Sequence, residues 1–335
     1  MRKIGFVLFT DRVSGAEKII IEIIKEIGNR YDCTYICLPG EIENILKGLN
    51  IKCKTFNSKK ELMQIIKEGN FDVIHANDFQ ASIVSSMVHK NVISHIHHNK
   101  VEMTKISKLS VIYGLASFKI KKVLCVSKSV RDEMFFKSLV KNKAFVQYNW
   151  LNEEERVWKK DEDKVIDILF VGRFEDIKNP ILFVDTIKEV VAKGHKDLKV
   201  VMIGRGSLKD DTIKYIKENS LENNIEIKDF TDEPHKYMKQ SKIFFVPSKV
   251  EGFGLVFLEA IANDSVPVAT PVGGIKEIFE GRDTYLCTEK KDFVQKIDYL
   301  LRNEDKRKEV AKENIEILKR FDMKENINKI EKFYL

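Results

Sequence analysis

Two carboxylates, Glu251 and Glu259, bracket a glycine turn in the run Phe245-Val246-Pro247-Ser248-Lys249-Val250-Glu251-Gly252-Phe253-Gly254-Leu255 and its helical continuation. Gly252 and Gly254 let the main chain approach a ligand closely, and the amides that open the next helix favour an anion such as a diphosphate. A carboxylate accepts two hydroxyl hydrogens at once, so Glu251 at the loop mouth and Glu259 two turns into the helix suit a ligand with a diol at each end. A nucleotide-sugar is such a ligand. A second cluster, Gly172-Arg173-Phe174 followed by Lys178-Asn179-Pro180, also closes an apolar run. A rigid guanidinium and a flexible ammonium there can hold a diphosphate and stabilise the charge that grows on it as it leaves. Taken one at a time, these charges read equally well as solvated surface residues. A third run, Val92–Asn99, ends in His95, His97 and His98, and strand alternation puts His95 and His97 on one face. No clear third ligand accompanies them, so a metal site is the weaker reading. His75, Asn77 and Asp78 end a fourth run and are candidates for lining an acceptor site.

All four clusters need strand ends to hold them. The chain has 335 residues, 43% hydrophobic and 33% charged, which is the composition of an ordinary globular protein long enough for two domains. Short apolar runs alternate with segments of helical period: Ile4–Phe9, Thr34–Leu38, Asp72–His75, Val92–His97, Val123–Ser127 and Phe145–Tyr148, then Ile168–Gly172, Val200–Gly204, Ile225–Ile227, Ile243–Pro247, Val266–Ala269 and Tyr285–Cys287. This is the βαβ rhythm of parallel sheets covered on both faces. The expected organisation is α/β with two Rossmann-like, doubly wound domains: an acceptor domain over residues 1–152, a charged linker over 153–165 and a nucleotide-sugar domain over 166–318. Residues 319–335 are expected to form a C-terminal helix packing back on the first domain. Open α/β sheets bind ligands at the carboxyl ends of their strands, which predicts a cleft faced by both domains.

The motifs together resemble a glycosyltransferase of the GT-B fold, in the large retaining family 4. The family signature of a Glu, seven residues and a second Glu within E-G-F-G matches Glu251 through Glu259. Its G-R-F with a following K-N matches Gly172-Arg173-Phe174 and Lys178-Asn179. A later G-x-G appears as Gly204-Arg205-Gly206, V-G-G-x-x-E as Val272–Glu277, and the first βα turn, often G-G-A-E, as Ser14-Gly15-Ala16-Glu17. The resemblance covers nearly the whole chain and is strongest over residues 167–280. It implies that Arg173 and Lys178 bind the donor diphosphate, that Glu259 holds the ribose and Glu251 the transferred sugar, and that the amides near Gly252, Phe253, Gly254 and Leu255 complete the anion site. It also implies donor contacts at Gly15, Gly172, Gly204 and Phe230, a role facing the donor sugar for His97, with His95 second, and UDP as the nucleotide. Ser14, Asp229, Asp264 and Trp150 depart from the family pattern, and none of these is a proposed Arg, Lys or Glu contact.

The expected reaction is transfer of a sugar, with retention, to a hydroxyl of a glycan or lipid-linked acceptor in cell-surface polysaccharide or glycolipid synthesis. No cofactor and no metal are expected, because Arg173 and Lys178 carry the compensating charge and the only Asp-x-Asp, Asp161-Glu162-Asp163, lies in the charged linker. A sugar-nucleotide epimerase or phosphorylase, or a non-catalytic GT-B partner subunit, are the alternatives. Residues 1–150 carry 24 Lys and Arg against 14 Asp and Glu, although the chain as a whole is only +7, so the positive excess lies in the first half. Within it, residues 100–122 hold six Lys and one Glu among apolar residues, a basic amphipathic segment suited to an anionic membrane surface or to plain solvation. Aromatics are not interleaved as stacking platforms, so nucleic acid is a poor fit. No apolar run reaches the roughly 18–20 residues of a membrane span, and Met1–Phe9 reads as a first strand. Five Cys without metal or disulfide spacing read as reduced thiols, and the expected location is cytoplasmic, at most peripheral to the inner face of the membrane.

Overall fold

The computed structural model describes residues 1–152 and 163–335; most of the charged linker, with Asp161 and Glu162, lies outside the described residues. The chain forms two compact units, Met1–Trp150 with Met323–Leu335, and Leu151–Asp322.

The first unit is built on seven strands: β1 (Lys3–Val7), β2 (Asp32–Cys37), β3 (Cys53–Thr55), β4 (Val73–Asn77), β5 (Val92–Ile96), β6 (Lys122–Cys125) and β7 (Ala144–Val146). They pair in parallel in the order β3-β2-β1-β4-β5-β6-β7. β3 escapes the sequence reading because it is three residues long with an exposed Lys54 at its centre, leaving no apolar run to mark it. β1 is followed by helix Gly15–Ile27, whose Ile19, Ile20, Ile23, Ile24 and Ile27 are all buried at helical spacing. Glu17 in the first turn of that helix reaches back to the N-cap residue Ser14, its Oε2 accepting from the Ser14 N–H at 2.9 Å and from the Ser14 hydroxyl at 2.5 Å. Strand order reverses between β1 and β4, the crevice where doubly wound sheets take ligands.

Helix Met323–Glu331 is part of this unit although it is far away in sequence. Ile327 and Ile330 are buried, Arg30 donates twice to the Glu331 carboxylate at 3.0 Å, and the Gln147 amide donates to Asn326 at 3.0 Å. Trp150, where the family often has Gly, is buried and donates its indole N–H to Glu22 at 2.7 Å. Residues 100–122 form a 3-10 turn at Val101–Met103 and a helix at Lys108–Ser117, which Ser107 caps by accepting from the Ser110 N–H.

The second unit has five parallel strands: β8 (Ile166–Val171), β9 (Val200–Ile203), β10 (Ile225–Lys228), β11 (Ser241–Val246) and β12 (Val266–Ala269), in the order β10-β9-β8-β11-β12. Its core is aromatic, with Phe183 stacked on Phe245 at 5.2 Å and edge-on to Phe170 at 5.3 Å. Tyr285–Cys287, expected as a strand, makes a single bridge from Leu286 to Ala269, because the turn that returns Leu286 N–H to Asp283 leaves too little extended chain to pair further. The fully buried Ile330 predicts that Ile330→Ala lowers stability by about 2–4 kcal/mol, as for other core truncations. Denaturant unfolding measures this, and a loss under about 0.5 kcal/mol would separate the last helix from the core of the first unit.

Candidate functional site

In the second unit the strand order reverses between β8 and β11, so the loops leaving those two strands meet at the carboxyl edge. Gly172 and Arg173 follow β8. The chain then makes a 3-10 turn at Asp176–Lys178, and Asn179 takes a left-handed backbone (φ 54°) before Pro180 opens helix Pro180–Ala192. Pro disfavours the right-handed helical region for the residue before it, and Asn is among the few non-glycine residues that tolerate the left-handed one. That turn carries Lys178 onto the loop after β11, where its ammonium donates to Glu251 Oε1; the side chains retain only 13% and 10% exposure. The Ser248 hydroxyl donates to the same oxygen at 3.0 Å, the Lys249 N–H to the Ile177 carbonyl at 2.8 Å, and the Lys249 ammonium to Asp176 at 2.5 Å. The two loops are thus laced together. Arg173 stays exposed, and its guanidinium makes no hydrogen bond or ion pair among the described residues.

Gly254, at φ 95°, caps helix Leu255–Ala262, with Glu259 half-buried along it. The turn is clamped from behind. A Cβ on Gly273, itself at φ 52°, would lie 1.7 Å from the Glu251 carbonyl, and one on Gly274 would lie 2.7 Å from the Phe253 backbone. These glycines let the loop after β12 pass directly under the Glu251–Phe253 main chain. Phe253 is buried edge-on against Phe321 at 5.4 Å, so it anchors the loop from within. Gly204 plays a similar part: a Cβ there would meet the Gly172 carbonyl at 1.9 Å, so the ends of β8 and β9 can touch only without a side chain. Phe230, after β10, is exposed beneath the Arg205 guanidinium at 4.3 Å. The departures fit their backbones. Asp264 sits at φ 58°, the left-handed conformation a Gly there would take without strain, and Asp229 accepts from Lys209.

In the first unit, Gly15 opens the helix after β1, and β4 and β5 bring His75, Asn77, His95 and His97 together. His75 Nε2 lies 3.1 Å from His95 Nδ1, the His95 and His97 rings are 4.1 Å apart, and His97 Nε2 lies 2.9 Å from Asn77 Oδ1. Asp78, at φ 65°, receives the His97 N–H at 3.0 Å and faces His98 at 3.2 Å. Burial works to raise the Asp78 carboxyl, but the His98 and His97 contacts outweigh it and hold it below its usual range. Burial pushes His75 down to about 3, His97 to about 4 and His95 well below its usual value, so all three are neutral at pH 7. Tyr334 joins this cluster, its hydroxyl 2.6 Å from His75 Nδ1. Nothing in the sequence marks it, since it lies 259 residues from its partner. No group of three or more His, Cys, Asp or Glu among the described residues is placed to hold a metal ion.

Residues 152–316 match the family model for glycosyl transferases group 1. An uncharacterized glycosyltransferase of Methanocaldococcus jannaschii, MJ1178, is 30% identical over 290 residues, covering 83% of this chain and 79% of the relative. The chain belongs to the glycosyl transferases group 1. It is therefore a glycosyltransferase. A Campylobacter jejuni relative, an N-acetylgalactosamine-N,N'-diacetylbacillosaminyl-diphospho-undecaprenol 4-alpha-N-acetylgalactosaminyltransferase, is 24% identical over 83% of this chain and 84% of its own. In structure the chain is similar to Anabaena HepE, crystallised with UDP and glucose, at a TM-score of 0.87 and 18% identity over 99% of both chains. The fold is GT-B.

The unfolded chain protonates its histidines near pH 6.5, whereas the folded one holds His97 and His75 neutral down to about 4 and about 3. Between those limits the unfolded state binds more protons, so the stability of this glycosyltransferase falls as the pH drops from about 6.5. Its Tm should decline between pH 7 and pH 4.5, and His97→Asn should remove about 1.4 kcal/mol per pH unit from that slope. An identical profile in the variant would show that His97 is not buried in its neutral form.

Proposed function

We propose that the chain moves a sugar from a UDP-sugar to a hydroxyl of a glycan or lipid-linked acceptor, with retention of anomeric configuration and with side chains in place of a metal ion. The observation that carries this reading is the Lys178–Glu251 pair, held with little exposure at the strand-order reversal of the second unit beside an exposed Arg173. A paired Lys and Glu satisfy each other in a site that water has largely left. A diphosphate entering beside Arg173 offers Lys178 a more highly charged partner, and that exchange frees Glu251 to accept hydroxyl hydrogens from the sugar. Glu259 takes the ribose diol, and the main chain at Gly252, Phe253, Gly254 and Leu255 faces the phosphates. Gly172 and Gly204 let the main chain come close to the donor, and Phe230 under Arg205 offers a face for the base.

The bond to break joins the anomeric carbon to a phosphate oxygen. Charge develops on that oxygen as it leaves, so Arg173 and Lys178 stabilise the transition state more than the ground state. The acceptor hydroxyl attacks from the face the phosphate vacates, with the departing phosphate taking its proton. His97, neutral and fixed by Asn77, contacts the donor sugar, while His75, Asn77 and His95 support the acceptor side. The donor nucleotide follows HepE, whose structure holds UDP, and the lipid-linked acceptor follows the diphospho-undecaprenol in the name of the C. jejuni relative.

The acceptor reading gains support from residues 100–122. Val101, Ile106, Leu115 and Phe118 are 60–71% exposed among Lys100, Lys105, Lys108, Lys119, Lys121 and Lys122. Apolar tips among cations suit the surface of an anionic bilayer, where such acceptors are found. No helix of the described residues is long and apolar enough to cross a membrane.

UDP at about 100 times its Kd should stabilise the protein by about 2.7 kcal/mol. With a matching sugar nucleotide and acceptor, turnover should persist in EDTA, the product should keep the donor's anomeric configuration by NMR, and Lys178→Ala should lower kcat by about 10²–10³-fold, as the loss of one charge-stabilising donor does elsewhere. An undiminished rate in that variant removes the assigned role of the pair. Vesicles containing anionic phospholipid should sediment the protein, and neutral vesicles or a Phe118→Glu, Leu115→Glu double variant should not. Equal recovery in all three would leave the exposed face without a membrane role.

A further inference from the structure

We infer that Tyr334 is a positioning residue for the histidine edge of the first unit: by donating to His75 it fixes a one-way hydrogen-bond chain that gives His95 and His97 opposite hydrogen-bonding characters. The inference rests on the glycosyl-transfer reading only for what that edge is used for; the chain itself stands on geometry.

Each bond limits the next. The Asn77 amide nitrogen lies 3.3 Å from both the Val7 and His75 carbonyls, which accept, so Asn77 Oδ1 is the group turned to His97. That oxygen can only accept, so His97 carries its hydrogen on Nε2, and in a neutral ring Nδ1 is then a bare acceptor. At the other end, Tyr334 is wholly buried, and its hydroxyl has His75 Nδ1 as its hydrogen-bond partner at 2.6 Å. Were His75 to donate there, the tyrosine hydrogen would be left unpaired in the core, at the full cost of desolvation. Tyr334 therefore donates, and His75 Nδ1 accepts. His75 Nε2 then bears the hydrogen and donates to His95 Nδ1 at 3.1 Å, which leaves His95 with its own hydrogen on Nε2.

The two ends of the network are the buried ring nitrogens that find no partner among the described residues, His95 Nε2 and His97 Nδ1. One is a donor and the other an acceptor, on rings 4.1 Å apart at the end of β5, where His97 keeps 8% exposure and His95 none. A single hydroxyl satisfies both, donating to His97 Nδ1 and accepting from His95 Nε2–H. A thiol does so only weakly, and a methyl not at all. The pair thus selects for a hydroxyl on the sugar it meets, and its polarity is set by a residue near the far end of the chain.

The test is nitrogen-15 NMR of histidine-labelled protein, in which a ring nitrogen with hydrogen and one without resonate far apart. In the wild type His75, His95 and His97 should all carry hydrogen on Nε2. In Tyr334→Phe, which keeps the ring and removes the donor, His75 and His95 should become mixtures of both forms while His97, held by Asn77, stays as it was. In the transfer assay the same variant should raise KM for the sugar substrate about 3- to 10-fold, the worth of about one net hydrogen bond, with kcat changed by less than that. Hydrogen on His75 Nδ1 in the wild type, or His75 and His95 signals unmoved in Tyr334→Phe, overturns the inference. Ring forms as stated in a protein without sugar transfer would instead overturn the glycosyl-transfer reading and leave the control by Tyr334 standing.

Discussion

The Lys178–Glu251 ion pair is the interaction on which the loop edge of the second unit depends. Two opposite charges with so little exposure are costly to separate, because either alone would be left poorly solvated. Everything around them fixes where they meet. Ser248 holds the carboxylate, Lys249 ties the loop after β11 to the loop after β8, and glycines at 204, 273 and 274 let four loops pack backbone to backbone in two pairs, β8 with β9 and β11 with β12. The pair, with Ser248 on the same carboxylate oxygen, joins the loop after β8 to the loop after β11 through part-buried charge.

A parallel sheet explains why such a junction can be built here at all. Strands β8 and β11 point the same way, and both are followed by helices, so each loop delivers side chains and helix-opening amides to the same edge. The first unit uses the same arrangement for a different chemistry. Its edge is made of neutral, buried imidazoles that an apolar core keeps from protonating, and these are joined by directed hydrogen bonds where the second unit has an ion pair.

Much of this was legible in one dimension. Gly172-Arg173-Phe174, the Glu251-to-Glu259 spacing and Val272-Gly273-Gly274 are local motifs, and their function as turns at strand ends follows from glycine's freedom and from βα rhythm. Alternation along β5 sufficed to put His95 and His97 on one face. Elements with weak local signals were misread: β3 is too short and polar to show as an apolar run, and Tyr285–Cys287 is apolar enough to look like a strand yet lies beyond a turn that prevents pairing. Residues 100–122 read as a basic amphipathic segment, and Ser107 caps the helix within it.

Residue types and short-range spacing therefore determined the two wound sheets, the family and the identity of the charged and imidazole groups, because periodicity and turn chemistry act over a few residues. Partner choice was decided only by the tertiary structure. That Lys178 meets Glu251 and not a nearer carboxylate, or that Tyr334 reaches His75 across 259 positions, depends on which strands neighbour one another and on where the last helix docks. Those are outcomes of packing the whole core, and no local pattern carries them.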